Sequence, residues 1–208
     1  MTPVTRRWIE ALAPHCLGHV ETLLSTYAIA RHVLELGVPG DFVECGVYAG
    51  AQCAVMARAL EDFSREHSTL GRRVHLFDSF QGMPQCGPED SEFIQAGNKP
   101  GEAACDLAGV QSNMHNWGIP EDLLVYHKGW FQDTLPYIVH RSRTLTEIAL
   151  LRLDGDLYGS TKVCLEHLYP LVPRGGWVIV DDYPLSGCRK ALHEVVGYPQ
   201  PMQWCKTI

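Results

Sequence analysis

The chain has 208 residues, 46% of them hydrophobic and 20% charged, with a formal net charge of −7. That length suits one domain with a sizeable core. The acidic balance argues against nucleic acid or an anionic membrane as the main partner, because both recruit basic patches.

In chain order, an N-terminal helical segment is expected over about residues 5–37. Its main part, VETLLSTYAIARHVLEL, carries apolar positions at helical spacing, and Gly37 and Pro39 stop it. DFVECGV then reads as a short strand and AQCAVMARALEDFSRE as a helix. RRVHLFD is a second strand. Residues 80–104, FQGMPQCGPEDSEFIQAGNKPGEAA, are rich in Gly, Pro and acids and lack periodicity. A loop of that length is usually functional, and a mobile cover over the site is expected there. A helical pattern near 105–117 leads to a third strand, LLVYHKG. TEIALLRLD is the fourth, TKVCLEHLYPLV a helix, GGWVIVDD the fifth strand and CRKALHEVV a further helix.

Strands that alternate with helices predict an α/β fold, an open and mostly parallel sheet with helices on both faces. In such sheets ligands bind beyond the carboxyl ends of the strands. Here those ends read VECG, LFD, HKG, LRLDGD and VIVDD. A carboxylate at the end of a buried strand is costly unless it is paired, hydrogen-bonded or bound to a metal. Five endings in acids or glycines on one sheet edge describe a binding site. Eight cysteines occur without a CxxC pair, and Cys45, Cys53 and Cys164 sit inside apolar patterns. Reduced, buried thiols are therefore expected rather than disulfides or a zinc site. The start of the chain shows no apolar signal core and no run reaches the roughly 18 residues of a membrane span. A cytoplasmic protein is expected.

Three motifs carry the chemistry. In VECGVYAG, Glu44 precedes a turn opened by Gly46 and Gly50. The glycines allow close backbone approach to a ligand. The spacing is not the GxGxxG of a dinucleotide loop; an acid two residues before the first glycine suits S-adenosylmethionine (SAM), which carries a positive amino group and no pyrophosphate. In LFDSFQGMP, Asp78 ends the second strand, where an acid can accept both ribose hydroxyls of an adenosine cofactor. Third, Asp154 and Asp156 end the fourth strand and Asp181 and Asp182 the fifth. Carboxylates packed together repel and stay ionised only with a cation between them, and hard oxygens favour Mg²⁺, Ca²⁺ or Mn²⁺ over zinc.

These blocks resemble the macrocin O-methyltransferase (TylF-type) family. The resemblance runs through VPGDFVECGVYAG, LFDSFQGMP, KGWFQDTLP, LLRLDGDLYGST, LYPLVPRGGWVIVDDY and CRKAL, in that order. It implies the class I SAM-dependent methyltransferase fold, a Mg²⁺ requirement, and transfer of a methyl group to a natural-product hydroxyl, typically on a deoxysugar. By the same resemblance Asp154, Asp181 and Asp182 would hold the metal and Asp156 would be the general base. Glu44, Gly46, Val47 and Gly50 would hold the methionine part of SAM, Asp78 and Ser79 the ribose, and Gly129 and Trp130 would lie near the adenine. Ala49 and Ala51 stand where relatives usually carry arginine and glycine. The fold normally ends in an antiparallel hairpin, and PMQWCKTI leaves room for little more than one strand. A truncated hairpin is expected, with an open or partner-covered sheet edge and a homo-oligomer, a dimer or larger.

Two other readings stay open on the sequence. Asp154-Gly155-Asp156 is also the DxD of a metal-dependent glycosyltransferase, and the chain could be a SAM-binding protein without catalysis. His127 and His140 are alternative bases, since their intrinsic pKa fits better.

Overall fold

The computed structural model describes residues 1–67 and 71–197. The N-terminal helical segment comprises two helices. Helix α1 (Pro3–Ala11) begins at Thr2, whose side chain accepts the Thr5 N–H, with proline in the first turn. Pro14 and Gly18 interrupt the run, leaving a single tight turn at Ala13–His15 before α2 (Val20–Glu35).

Strand β1 (Asp41–Cys45) and helix α3 (Ala51–His67) follow, then β2 (Val74–Asp78). Helices α4 (Ser91–Ala96) and α5 (Leu107–Asn116) precede β3 (Leu124–Lys128). Helix α6 (Phe131–Pro136) runs into a π-helical turn at Tyr137–Ser142 and leads to β4 (Ile148–Leu153). Helix α7 (Tyr158–Leu168), β5 (Trp177–Val180) and α8 (Ser186–Val195) complete the described chain.

The five strands are parallel in the order β3-β2-β1-β4-β5. The strand order reverses between β1 and β4, and the crevice at such a switch point is where open α/β sheets bind ligands. One core packs Phe42, Val74, Leu76 and Leu150 against α1, α2, α3 and α5. The other packs Val43, Phe77, Leu151 and Leu153 against α6, α7 and α8. Strand β4 is buried along its whole length, as a strand covered on both faces must be.

The 80–104 segment is more ordered than its composition suggests. It contains α4, a helix too short to leave a periodic signal, and it is tied to the starts of two others. Asp90, buried, accepts the N–H of Tyr158 at 2.7 Å and of Gly87 at 2.8 Å. Glu92 accepts from the Ser186 N–H and hydroxyl at 3.0 and 2.8 Å. Carboxylates at the first turns of α7 and α8 complement unpaired N–H groups there. The expected truncated C-terminal hairpin falls on residues 198–208, outside the described residues. Among the described residues no helix is long and apolar enough to cross a membrane, and the seven described cysteines are free thiols.

Candidate active site

The strand ends are locked to one another by backbone bonds that continue the sheet. Gly46 N–H donates to Phe77 O at 3.0 Å, Asp154 N–H to Cys45 O at 2.9 Å, and Asp181 N–H to Leu153 O at 2.9 Å. At the switch point the approach is extreme. A Cβ on Gly46 would lie 1.7 Å from Asp154 O, and Gly46 has φ +91, so no other residue fits where β1 and β4 diverge. Asp78 organises the same turn. Its carboxylate accepts the N–H of Val47 and of Phe80, each at 2.7 Å.

These ends enclose a cleft of about 310 Å³. Glu44, Gly46, Val47, Asp78, Ser79 and Trp130 line one part of it, and Asp154, Asp156, Asp181 and Asp182 another. The structure thus brings most of the predicted site residues together. Gly50 and Gly129 are not among the lining residues. Gly50 faces α5, where a Cβ would come within 2.7 Å of Met114 Cε, and a Cβ on Gly129 would meet Thr134 at 2.8 Å. Both have positive φ, +94 and +145, which a residue with a Cβ adopts only under strain. His127 lies buried on the sheet, 2.9 Å from His75 and stacked on Phe77, and His140 pairs with His167 on the outside. Neither histidine lines the cleft. The lining also includes His15, Cys16, Leu17 and Gly18 from the break between α1 and α2, and Gln52, Met83 and Ser160. Sequence reasoning missed these; the Pro14 to Gly18 interruption was their one visible signal.

The electrostatics are lopsided. Six carboxylates line the cleft, against Arg152 and His15 as its basic residues. Arg152, within β4 and 1% exposed, donates through Nη1 to Glu44 Oε1 at 2.8 Å and Asp154 Oδ2 at 2.5 Å, and through Nη2 to Asp181 Oδ1 at 2.5 Å. Burial works against its charge, but Asp154, Glu44 and Asp181 hold it firmly protonated. Glu44, 1% exposed, has its other oxygen taken by Cys53 Sγ at 2.6 Å. Burial raises Glu44 to about 7 even though Arg152 pulls it down. Burial also raises Asp156 to about 7, assisted by Asp154 and Asp181, and Asp182 to about 8, assisted by Asp154 and Asp156. Upward shifts of this kind mark negative charge without enough compensation.

The residues present fit both groups that the sequence implied. Asp154, Asp156 and Asp182 each offer a carboxylate oxygen within 4.8 Å of the others, a hard donor set for a divalent cation. This grouping differs from the expected Asp154, Asp181 and Asp182: Asp156 joins it, and Asp181 gives Oδ1 to Arg152, as Asp154 gives Oδ2. The glycine turn and the acidic lining suit a cationic adenosyl cofactor. A nucleotide diphosphate would find Arg152 already engaged three times.

The sheet order, the glycine turn and the acidic cleft at the switch point define a Rossmann-like SAM-dependent methyltransferase. The sequence matches the family described as macrocin-O-methyltransferase (TylF) over residues 18–202, and the chain belongs to that family of SAM-dependent O-methyltransferases. It is 40% identical over 186 residues to 8-demethyl-8-(2,3-dimethoxy-alpha-L-rhamnosyl)-tetracenomycin-C 4'-O-methyltransferase of Streptomyces olivaceus, covering 88% of this chain and 68% of that protein. It is 37% identical over 185 residues to mycinamicin III 3''-O-methyltransferase of Micromonospora griseorubida, covering 86% and 69%. The solved structure of the O-methyltransferase NovP superposes with a TM-score of 0.73 at 34% identity, covering 86% of this chain and 72% of that one. Family membership removes the glycosyltransferase and non-catalytic readings.

Proposed function

We propose that this chain methylates a hydroxyl on the deoxysugar of a small-molecule natural product, with Mg²⁺ or another hard divalent cation at the acid cluster. The observation that carries the metal reading is the convergence of Asp154, Asp156 and Asp182 beside the cofactor turn. The acceptor class is supported by the Streptomyces olivaceus relative, whose name specifies a rhamnosyl group. Asp154 and Asp182 belong both to the family's metal set and to the cluster in this structure. Asp181 gives Oδ1 to Arg152 and has a second oxygen to offer.

When bound, SAM supplies an electrophilic methyl carbon, and the cation would supply Lewis acidity toward the acceptor hydroxyl. The chain's own residues orient and deprotonate. The Gly46-Val47 turn, tied to Asp78, fixes the cofactor half of the cleft against the acid half, so donor and acceptor meet in a set geometry. Asp156 takes the hydroxyl proton. Its backbone is held at φ 62, with its N–H on Asp182 Oδ2 at 2.9 Å and its carbonyl accepting from Cys188 Sγ at 3.1 Å.

The test is calorimetric titration with S-adenosylhomocysteine and with Mg²⁺, followed by turnover on deoxysugar-bearing acceptors. Asp156→Asn should lower kcat by roughly 10²-fold or more while leaving S-adenosylhomocysteine affinity intact. Wild-type turnover in Asp156→Asn would remove Asp156 as the base, and absence of Mg²⁺ binding would remove the metal.

A further inference from the structure

Arg152 is a charged feature of the cleft that neither cofactor binding nor proton transfer uses. It is a lone charge in IALLRL, on a strand buried throughout. Glu44 stands directly beside it in the β1–β4 register. Its guanidinium reaches both halves of the site, Glu44 under the cofactor turn and Asp154 and Asp181 at the acid cluster. One Nη serves two carboxylates, and Nε–H is buried without a partner. The guanidinium is thus placed by charge rather than by a full set of five hydrogen bonds. Three carboxylates share one cation there, and a buried carboxylate stays ionised only near positive charge.

We infer that Arg152 is the resident counter-cation of this site, a positioning residue that holds the Glu44, Asp154 and Asp181 carboxylates in place before any metal arrives. A divalent cation then takes over part of that neutralisation. The take-over step rests on the metal reading above; the counter-charge step does not.

The two steps predict responses that a packing role would not give. Arg152→Met keeps much of the volume and removes the charge. In chelator its thermal midpoint should fall steeply. Mg²⁺ should then raise that midpoint by at least about twice as many degrees as it raises the wild type, because the ion supplies the missing neutralisation as well as its ordinary binding free energy. Equal Mg²⁺ shifts in the two proteins overturn the take-over. The counter-charge role is decided by the double variant Glu44→Gln/Arg152→Met, which removes a buried opposite-charge pair together. In chelator it should be more stable than Arg152→Met alone, or fold where Arg152→Met does not. A double variant no better than the single overturns the inference. A Mg²⁺ shift absent from the wild type as well counts against the metal reading and against take-over, and leaves the double variant to decide the rest.

Discussion

Gly46→Ala probes the tightest backbone contact of any glycine in the chain. The added Cβ would sit 1.7 Å from Asp154 O and 2.6 Å from Asp154 C. Both are main-chain atoms, so no side-chain rotation relieves the clash. Reaching about 3.0 Å, the lower edge of real Cβ contacts, means parting the ends of β1 and β4 by over an ångström. That movement strains or breaks the Asp154 N–H bond to Cys45 O, now 2.9 Å, and leaving such a buried pair unmade costs about 1–3 kcal/mol. Positive φ on an alanine adds about 1–2 kcal/mol. The sum, roughly 2–5 kcal/mol, is a large share of the 5–15 kcal/mol of a typical domain. Gly37→Ala is the internal control. It has φ +66 and nothing within 4 Å of the built Cβ, so it carries only the backbone strain, about 1 kcal/mol. Urea unfolding of the two variants beside the wild type measures the difference. A Gly46→Ala loss no larger than that of Gly37→Ala would refute the claimed closeness of the strand ends.

Burial, with His75 assisting, pushes His127 down to about 4, against about 6.5 in an unfolded chain. The unfolded state therefore binds the extra proton first, so stability is full above about pH 6.5 and falls by roughly 3 kcal/mol as pH drops toward 4. His127→Phe, which retains a ring on Phe77, should flatten that fall in denaturation curves between pH 6.5 and 4.5; superimposable pH dependences would rule the histidine out as its source. Asp90→Ala removes the acceptor of the Tyr158 and Gly87 N–H groups, at about 1–2 kcal/mol. Limited proteolysis should then cut within residues 80–104 faster than in the wild type, and an unchanged cleavage rate would show that Asp90 does not tie this segment down.

The carboxylate edge was legible because β4 and β5 are apolar runs that finish in doubled acids, a pattern burial alone cannot explain. The alternation of periods likewise sufficed for a parallel α/β sheet. What escaped was whatever depends on register and distance. Arg152 is a lone charge among apolar residues in IALLRL, but its partner Glu44 lies 108 positions away and meets it only through the β1–β4 pairing. Asp78 was expected to be a ribose acid; what the structure shows is that its carboxylate accepts the Val47 and Phe80 N–H groups, bonds that depend on β1 and β2 being neighbours. Gly50 read as a ligand glycine because its spacing says only that a small residue is required. Its φ of +94 and the contact with Met114, on a helix over 60 residues later, are what the structure adds. Short helix α4 falls below the length at which periodicity speaks.

The commitment of Glu44 bears on catalysis as well as on folding. A SAM molecule at neutral pH carries a sulfonium, an ammonium and a carboxylate, hence one net positive charge, and loses it when the methyl group departs. A cleft lined by six carboxylates attracts that charge. Attraction that holds the sulfonium in the ground state raises the barrier unless it is weaker there than in the transition state. An unpaired Glu44 under the cofactor turn would hold the departing charge. In this structure its two oxygens belong to Arg152 and Cys53, so its negative charge is turned inward. In the proposed arrangement Glu44, beside the donor, is already paired, while Asp156 and Asp182 stand beside the acceptor, which is the polarity that moving a methyl cation equivalent toward an oxygen requires.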